Sequence, residues 1–131
     1  MTDAEPVRLV EVVVDAVADQ VALLRSVAAD VAIRGDFDLD AIEDLRMAVD
    51  EAAALLVGCA APGARLHCEL RPERQQVRVR LVVDAKPDAQ VEHSSMGWQI
   101  LTALATEANA EAAEGRITIT LARARSEKIT A

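Results

Sequence analysis

Residues 65 to 83 contain two period-two runs set back to back. Leu66, Cys68 and Leu70 alternate with Arg65, His67 and Glu69, and after Arg71-Pro72-Glu73-Arg74 a second alternation follows in Val77, Val79, Leu81 and Val83. Residues two apart share one face of a strand, so each run carries one continuous apolar side. Joined by so short a turn, the two strands make an antiparallel hairpin. The apolar side of that hairpin demands a covering layer, which limits the folds open to the chain.

The rest of the chain supplies strands to extend the sheet and helices to cover it. Val10, Val12 and Val14 alternate with Glu11 and Asp15 as in a half-buried strand, while Leu9 and Val13 leave its other side partly apolar too. From Ala16 to Ile33 the apolar positions Val21, Leu24, Ala28 and Val31 recur at helical spacing. Gly35 is expected to end this helix with a positive φ angle. A second helix is expected to run to about Cys59, started by the short oxygen side chains of Asp36 to Asp40, with Asp40 and Glu43 as a relative of the capping box. Gly58 and the Pro62-Gly63 turn close it. Asp84 to Ser94 reads as a polar loop. Ser94 or Ser95 then caps a third helix whose face is Gly97, Leu101, Leu104 and Ala108, and the final strand carries Ile117, Ile119 and Leu121. The order strand, helix, helix, strand, strand, helix, strand implies a two-layer α+β sandwich, a mostly antiparallel sheet with helices on one face. At 131 residues this is one domain spanning 1–131, with 1–6 and 126–131 as loose ends.

The second helix carries two adjacent acids, Asp50 and Glu51, in a mostly apolar stretch, Ile42 to Val57. At about 100° per residue, Leu45, Val49, Ala52 and Leu56 share a face, and Glu51 lies at its edge. A carboxylate held there by packing yet open to a cavity suits a general base or a ligand of metal-bound water. From this helix alone, a solvated flank charge is the simpler reading of the same position.

The net charge of −8 repels phosphate backbones, and Trp98 and Phe37 are the sole aromatic residues, so direct nucleic-acid binding is disfavoured. A basic protein partner fits the charge better. Cys59 and Cys68 have no histidine at metal-site spacing and read as small buried apolar residues. A redox role for them would require exposure. Nothing resembles a signal peptide or a spanning helix, and the expectation is a cytoplasmic protein without a membrane role.

Two segments, Asp44-Leu-Arg-Met-Ala-Val-Asp-Glu51 and Gly97-Trp-Gln-Ile-Leu-Thr-Ala-Leu104, stand in this order on either side of the hairpin and the polar loop. Together with the element order they resemble the anti-sigma factors of the GHKL ATPase class, which include serine kinases that inhibit stress-response and sporulation sigma factors. The likeness spans nearly the whole chain and leans towards the actinobacterial members. It implies a Bergerat-type fold, with Glu51 matching the family's general base. Four residues on, where the family has an Asn that ligates magnesium, stands Leu55, which offers no lone pair to a hard cation. The chain's one Asn is Asn109. Asp84 matches the family's adenine-binding Asp but is followed by Ala85-Lys86-Pro87-Asp88 rather than by glycines, and Ser95-Met96-Gly97 keeps one glycine of a Gly-x-Gly phosphate-binding turn.

The resemblance thus implies an anti-sigma factor that sequesters an alternative sigma factor and is relieved by an anti-sigma-factor antagonist. Its cleft is expected to bind nucleotide weakly or not at all through Asp84 and Gly97, with no cofactor required. The alternative is an active serine kinase using Glu51, ATP and Mg²⁺ on the antagonist. Asp84 reads equally as a strand-end charge and Gly97 as a point of close helix packing; Trp98 reads as buried or as a partner contact. In relatives the first strand contributes to a symmetric interface, so a homodimer is expected through Val10, Val12 and Val14.

Overall fold

The computed structural model describes residues 8–126. Five strands and three helices occur in the order β1 (Val10–Asp15), α1 (Val21–Arg34), α2 (Leu39–Cys59), β2 (Arg65–Pro72), β3 (Gln76–Asp84), α3 (Met96–Leu104), β4 (Glu107–Ala113) and β5 (Arg116–Ala124). The strands form one sheet in the order β1-β2-β3-β5-β4, every neighbouring pair antiparallel. The hairpin expected from the two alternations is β2 and β3, paired from Leu66 opposite Val83 to Pro72 opposite Val77.

Alternation decides which side is covered. Leu66, Cys68 and Leu70 on β2, Val77, Val79, Leu81 and Val83 on β3, and Ile117, Ile119 and Leu121 on β5 are all buried in one core with Leu24, Leu45, Val49, Leu56 and Leu101 of the helices. Burying each large aliphatic side chain contributes about 1.5–3 kcal/mol, which is how a core with so few aromatics holds together. The α+β sandwich with helices on one face is therefore the observed architecture. α2 lies centrally, against α1 and α3 on either side and against β3 and β5 below.

Several local expectations are corrected. The third helix stops at Leu104, and Ala108 belongs to β4, a strand absent from the sequence reading. Its sequence, Glu-Ala-Asn-Ala-Glu-Ala-Ala, has helix-forming composition, but pairing along β5 from Glu107 opposite Ala122 to Ala113 opposite Arg116 overrides that preference. The first helix begins as a 3-10 turn at Ala18–Gln20 and becomes α-helical at Val21, not Ala16. Gly35 has φ −87°, and the left-handed residue is Asp36 at φ 56°. Gly35 is needed for space instead, because a Cβ there would lie 3.0 Å from the Phe37 ring. The cap of α2 is Asp38, whose Oδ2 accepts from the Ala41 N–H at 3.0 Å, rather than Asp40. Ser95 caps α3.

The expected loose ends lie outside the described residues except for Ser126, which is anchored. The Ser126 N–H donates to Asp38 Oδ1 at 2.9 Å, and nearby Arg125 donates to the carbonyls of Gly35, Asp36 and Arg74 at 2.7–2.8 Å while stacking 4.0 Å from the Phe37 ring centre. The end of β5 is thereby stapled to the α1–α2 junction.

Candidate functional site

α2 buries Ala41, Leu45, Ala48, Val49, Ala52, Ala53, Leu56 and Cys59 along one stripe, which fixes the directions of its remaining side chains. On one flank Asp50 meets α1, where Arg25 donates to it at 3.4 Å. On the other flank, Asp44 accepts from Arg123 of β5 at 3.1 Å. Glu51 and Leu55, both half-buried, lie on that second flank and meet the first turn of α3.

The meeting point is Gly97. A Cβ placed on it would lie 3.2 Å from Leu55 Cδ2 and 3.3 Å from Glu51 Oε2. A small residue here lets the first turn of α3 sit close against α2, as the close-packing reading of Gly97 has it. The Ser95 hydroxyl accepts from the Trp98 N–H at 3.2 Å and so terminates the helix here, leaving the Glu51 carboxylate beside a helix N-terminus, where a negative charge is favourable. Glu51 has no hydrogen-bond or ion-pair partner among the described residues.

Asp84 is elsewhere. On β3 the residues facing the helices are Val77, Val79, Leu81 and Val83, which turns Asp84 to the opposite face of the sheet. There it is 72% exposed and accepts from Arg116 Nε at 3.3 Å, its cross-strand neighbour on β5. Of the three expected cleft residues the structure brings Glu51 and Gly97 together and leaves Asp84 on the far side, as a strand-end charge.

The loop after β3 folds back over the ends of α2 and α3. The Lys86 N–H donates to the Cys59 carbonyl at 2.9 Å, the Cys59 thiol donates to the Gln90 carbonyl at 3.7 Å, and Val91 is buried in the core. His93 sets its ring edge against Trp98, with centroids 4.7 Å apart. Trp98 is buried, as one of its two readings had it. Both cysteines are buried and free. Burial pushes the Cys68 thiol up to about 12, with the nearby charge of Glu69 adding to the rise. Cys59 is raised by burial as well, with Lys86 acting in the opposite direction.

The residues at the α2–α3 contact do not fit a magnesium nucleotide. Leu55 contributes methyl groups where the cation needs oxygen, the carboxylate expected to read adenine faces away, and the glycine that could approach a phosphate is occupied by a helix contact. Two shallow recesses of about 240 and 200 Å³ lie around Arg78, Thr120 and Leu121 and include none of Glu51, Leu55 and Gly97. Val10, Val12 and Val14 are half-buried on the helix side of β1, an edge strand, whereas Leu9 and Val13 project outward at 43% and 45% exposure.

Met47, one turn before Glu51 on α2, and Met96, next to Gly97 at the start of α3, are both exposed, and the sequence reading singled out neither. The signal for Met47 was present, since it falls off the buried stripe; that for Met96 depended on knowing where α3 begins.

No known protein-family profile matches the chain. It is similar to the anti-sigma-F factor RsbW of Mycobacterium tuberculosis, in strains CDC 1551 and H37Rv alike, with 37% identity over 101 residues that make up 77% of this chain and 60% of the relative. The chain therefore spans about 60% of the length of these curated relatives. Among solved structures it is similar to that of the RsbU and RsbW domains of Rv1364c from Mycobacterium tuberculosis, at a TM-score of 0.72 and 19% identity, covering 94% of this chain and 34% of that one. The second likeness concerns the fold. Among the described residues no helix is long and apolar enough to cross a membrane.

Proposed function

Related in sequence to the anti-sigma-F factor RsbW and sharing the fold of an RsbW domain, this chain is, we propose, an anti-sigma factor that binds and sequesters an alternative sigma factor in the cytoplasm. The observation that carries the reading is the 37% identity to RsbW along most of the chain. The acidic balance supports it, because a net charge of −8 suits a partner with a basic surface. Sigma-F, the factor in the relatives' name, is the first candidate to test.

Inhibition on this reading needs no nucleotide. The Leu55–Gly97 contact supports a cleft whose nucleotide binding is weak or lost, the side chains that would surround a triphosphate having become a helix–helix seam. The serine-kinase alternative retains Glu51 as a base but lacks the oxygen ligand that would place the metal. Relief by an antagonist, and a homodimer using β1, belong to the same proposal. For the dimer the support is the edge position of β1 and the exposed Leu9 and Val13 on its outer side.

Adding purified chain to sigma-F-dependent transcription should lower transcript yield equally with and without ATP. Unchanged yield at saturating protein would refute the anti-sigma reading, and inhibition that requires ATP would restore the nucleotide-dependent one. Light scattering at micromolar concentration should give twice the chain's mass; a monomer would remove the dimer from the account.

A further inference from the structure

At the contact between α2 and α3, Glu51 is a carboxylate without a partner among the described residues, with exposed methionines on both helices. In residues 18–59 nine acidic side chains face three arginines, so this helical stretch carries −6 of the chain's −8. Most of these acids have work within the fold. Asp30, Glu43, Asp44 and Asp50 are ion-paired to arginines, and Asp38 caps α2. Glu51 has no such partner among the described residues, and exposed apolar residues lie beside it on α2 and at the start of α3. Met47 lies one turn before it at 45% exposure, and Met96, the neighbour of the Gly97 contact, is 78% exposed. Ala54 is exposed, and Gly58 has open space beside its α-carbon. At 100° per residue Met47, Glu51, Ala54 and Gly58 fall within about 60° of one another on α2.

We infer that this surface, Met47, Glu51 and Met96, is a docking site for an arginine-bearing segment of a protein partner. The occupant follows from the chemistry. A negative charge in a strongly negative helical layer attracts a cation, and two flexible thioether side chains on either side adapt to the aliphatic stem that carries it. Arginine fits better than lysine, since its weakly hydrated planar guanidinium can pair the carboxylate oxygen that does not face Gly97 while its stem lies on the methionines. Leu55 contributes by closing the seam beneath, which keeps Glu51 at the surface instead of above a cavity. The inference rests on the reading that the chain binds a sigma factor, and it assigns to Glu51 a recognition role in place of a catalytic one.

Calorimetric titration of the full chain with purified sigma-F tests it through three variants. Glu51→Arg should weaken binding by tenfold or more, the scale of a central hot spot. Met96→Ala should weaken it several-fold. Glu111→Lys, an equal change of charge sign on the exposed edge strand β4, should leave it within about twofold. Equal affinities for wild type and Glu51→Arg would overturn the inference while leaving the anti-sigma reading intact. If wild type binds no sigma-F, the anti-sigma reading is what fails for that factor, and a second measurement then decides the surface itself. ¹³C-methyl spectra of the chain are recorded during titration with a synthetic amphipathic helical peptide carrying arginine flanked by leucines. Shifts confined to the Met47 and Met96 methyls and abolished by Glu51→Arg support the site, and spectra without such shifts overturn it.

Discussion

Replacing Gly97 with valine probes the seam between α2 and α3 directly. An alanine Cβ at this position would meet Leu55 Cδ2 at 3.2 Å and Glu51 Oε2 at 3.3 Å. Both neighbours are ends of flexible side chains and can yield by a few tenths of an ångström. Alanine is also the better helix former, by less than the interior value of about 1 kcal/mol in this first turn, so Gly97→Ala should be nearly neutral. Valine adds two methyl groups at the same contact, and a small adjustment no longer absorbs them. Overpacking of this kind costs roughly 1–3 kcal/mol. A loss of about 2 kcal/mol in a chain of this size lowers Tm by about 8 °C. Trimming the opposing side chain should return part of the loss, so that Leu55→Ala with Gly97→Val is more stable than the sum of the single changes by about 1 kcal/mol. Urea unfolding followed by Trp98 fluorescence measures wild type, Gly97→Ala, Gly97→Val, Leu55→Ala and the double variant. If Gly97→Val unfolds at the wild-type midpoint and shows no coupling to Leu55, the two helices do not pack here and the closed cleft is wrong.

Other parts of the structure give sharper local tests. Arg125→Ala removes three hydrogen bonds to carbonyls and a stack on Phe37, and should cost about 2 kcal/mol in denaturant unfolding, with Arg125→Lys recovering only a fraction. Asp38 is held down at about 2, from a usual 3.8, mainly by the side-chain and backbone hydrogen bonds of Ser126. Its contribution is therefore complete above the usual value and lost as pH falls from about 4 towards 2. Acid titration should show this fall in wild type and a flatter profile in Asp38→Asn. Glu114 and Gly115 both have positive φ, 53° and 76°, in the two-residue turn from β4 to β5. Glu114→Asn should raise stability by roughly 0.5–1 kcal/mol; a destabilised variant would contradict the turn geometry.

Periodicity carried most of the fold. The β2–β3 hairpin and the buried stripes of α1 and α2 follow from apolar residues spaced by two or by three and four, because burial acts on whole faces and leaves a regular trace. β4 left no such trace. Its helix-facing residues are Ala108 and Ala110, too small to mark a face against Glu107, Asn109 and Glu111, and only the pairing with β5 makes it a strand. The staple at the end of β5 was equally hidden, since it joins Arg125 and Ser126 to residues some 90 positions away. At the site, helical spacing put Glu51 at the edge of the buried stripe, where it is found. Asp84 was placed by its likeness to a motif, and strand alternation then sets its direction. Val83 is buried, so the next side chain must point to the other face. Whether Gly97 served a phosphate or a helix depended on a distance between segments more than 40 residues apart, which no local pattern contains.

The proposed weak or lost nucleotide binding at the contact of Leu55 and Glu51 with Gly97 is tested by calorimetric titration of the full chain with ATP and Mg²⁺. The proposal predicts no saturation at micromolar ATP, and the same trace for Glu51→Ala. Micromolar binding that disappears in Glu51→Ala or Asp84→Ala would contradict it and return the chain to the nucleotide-using kinases.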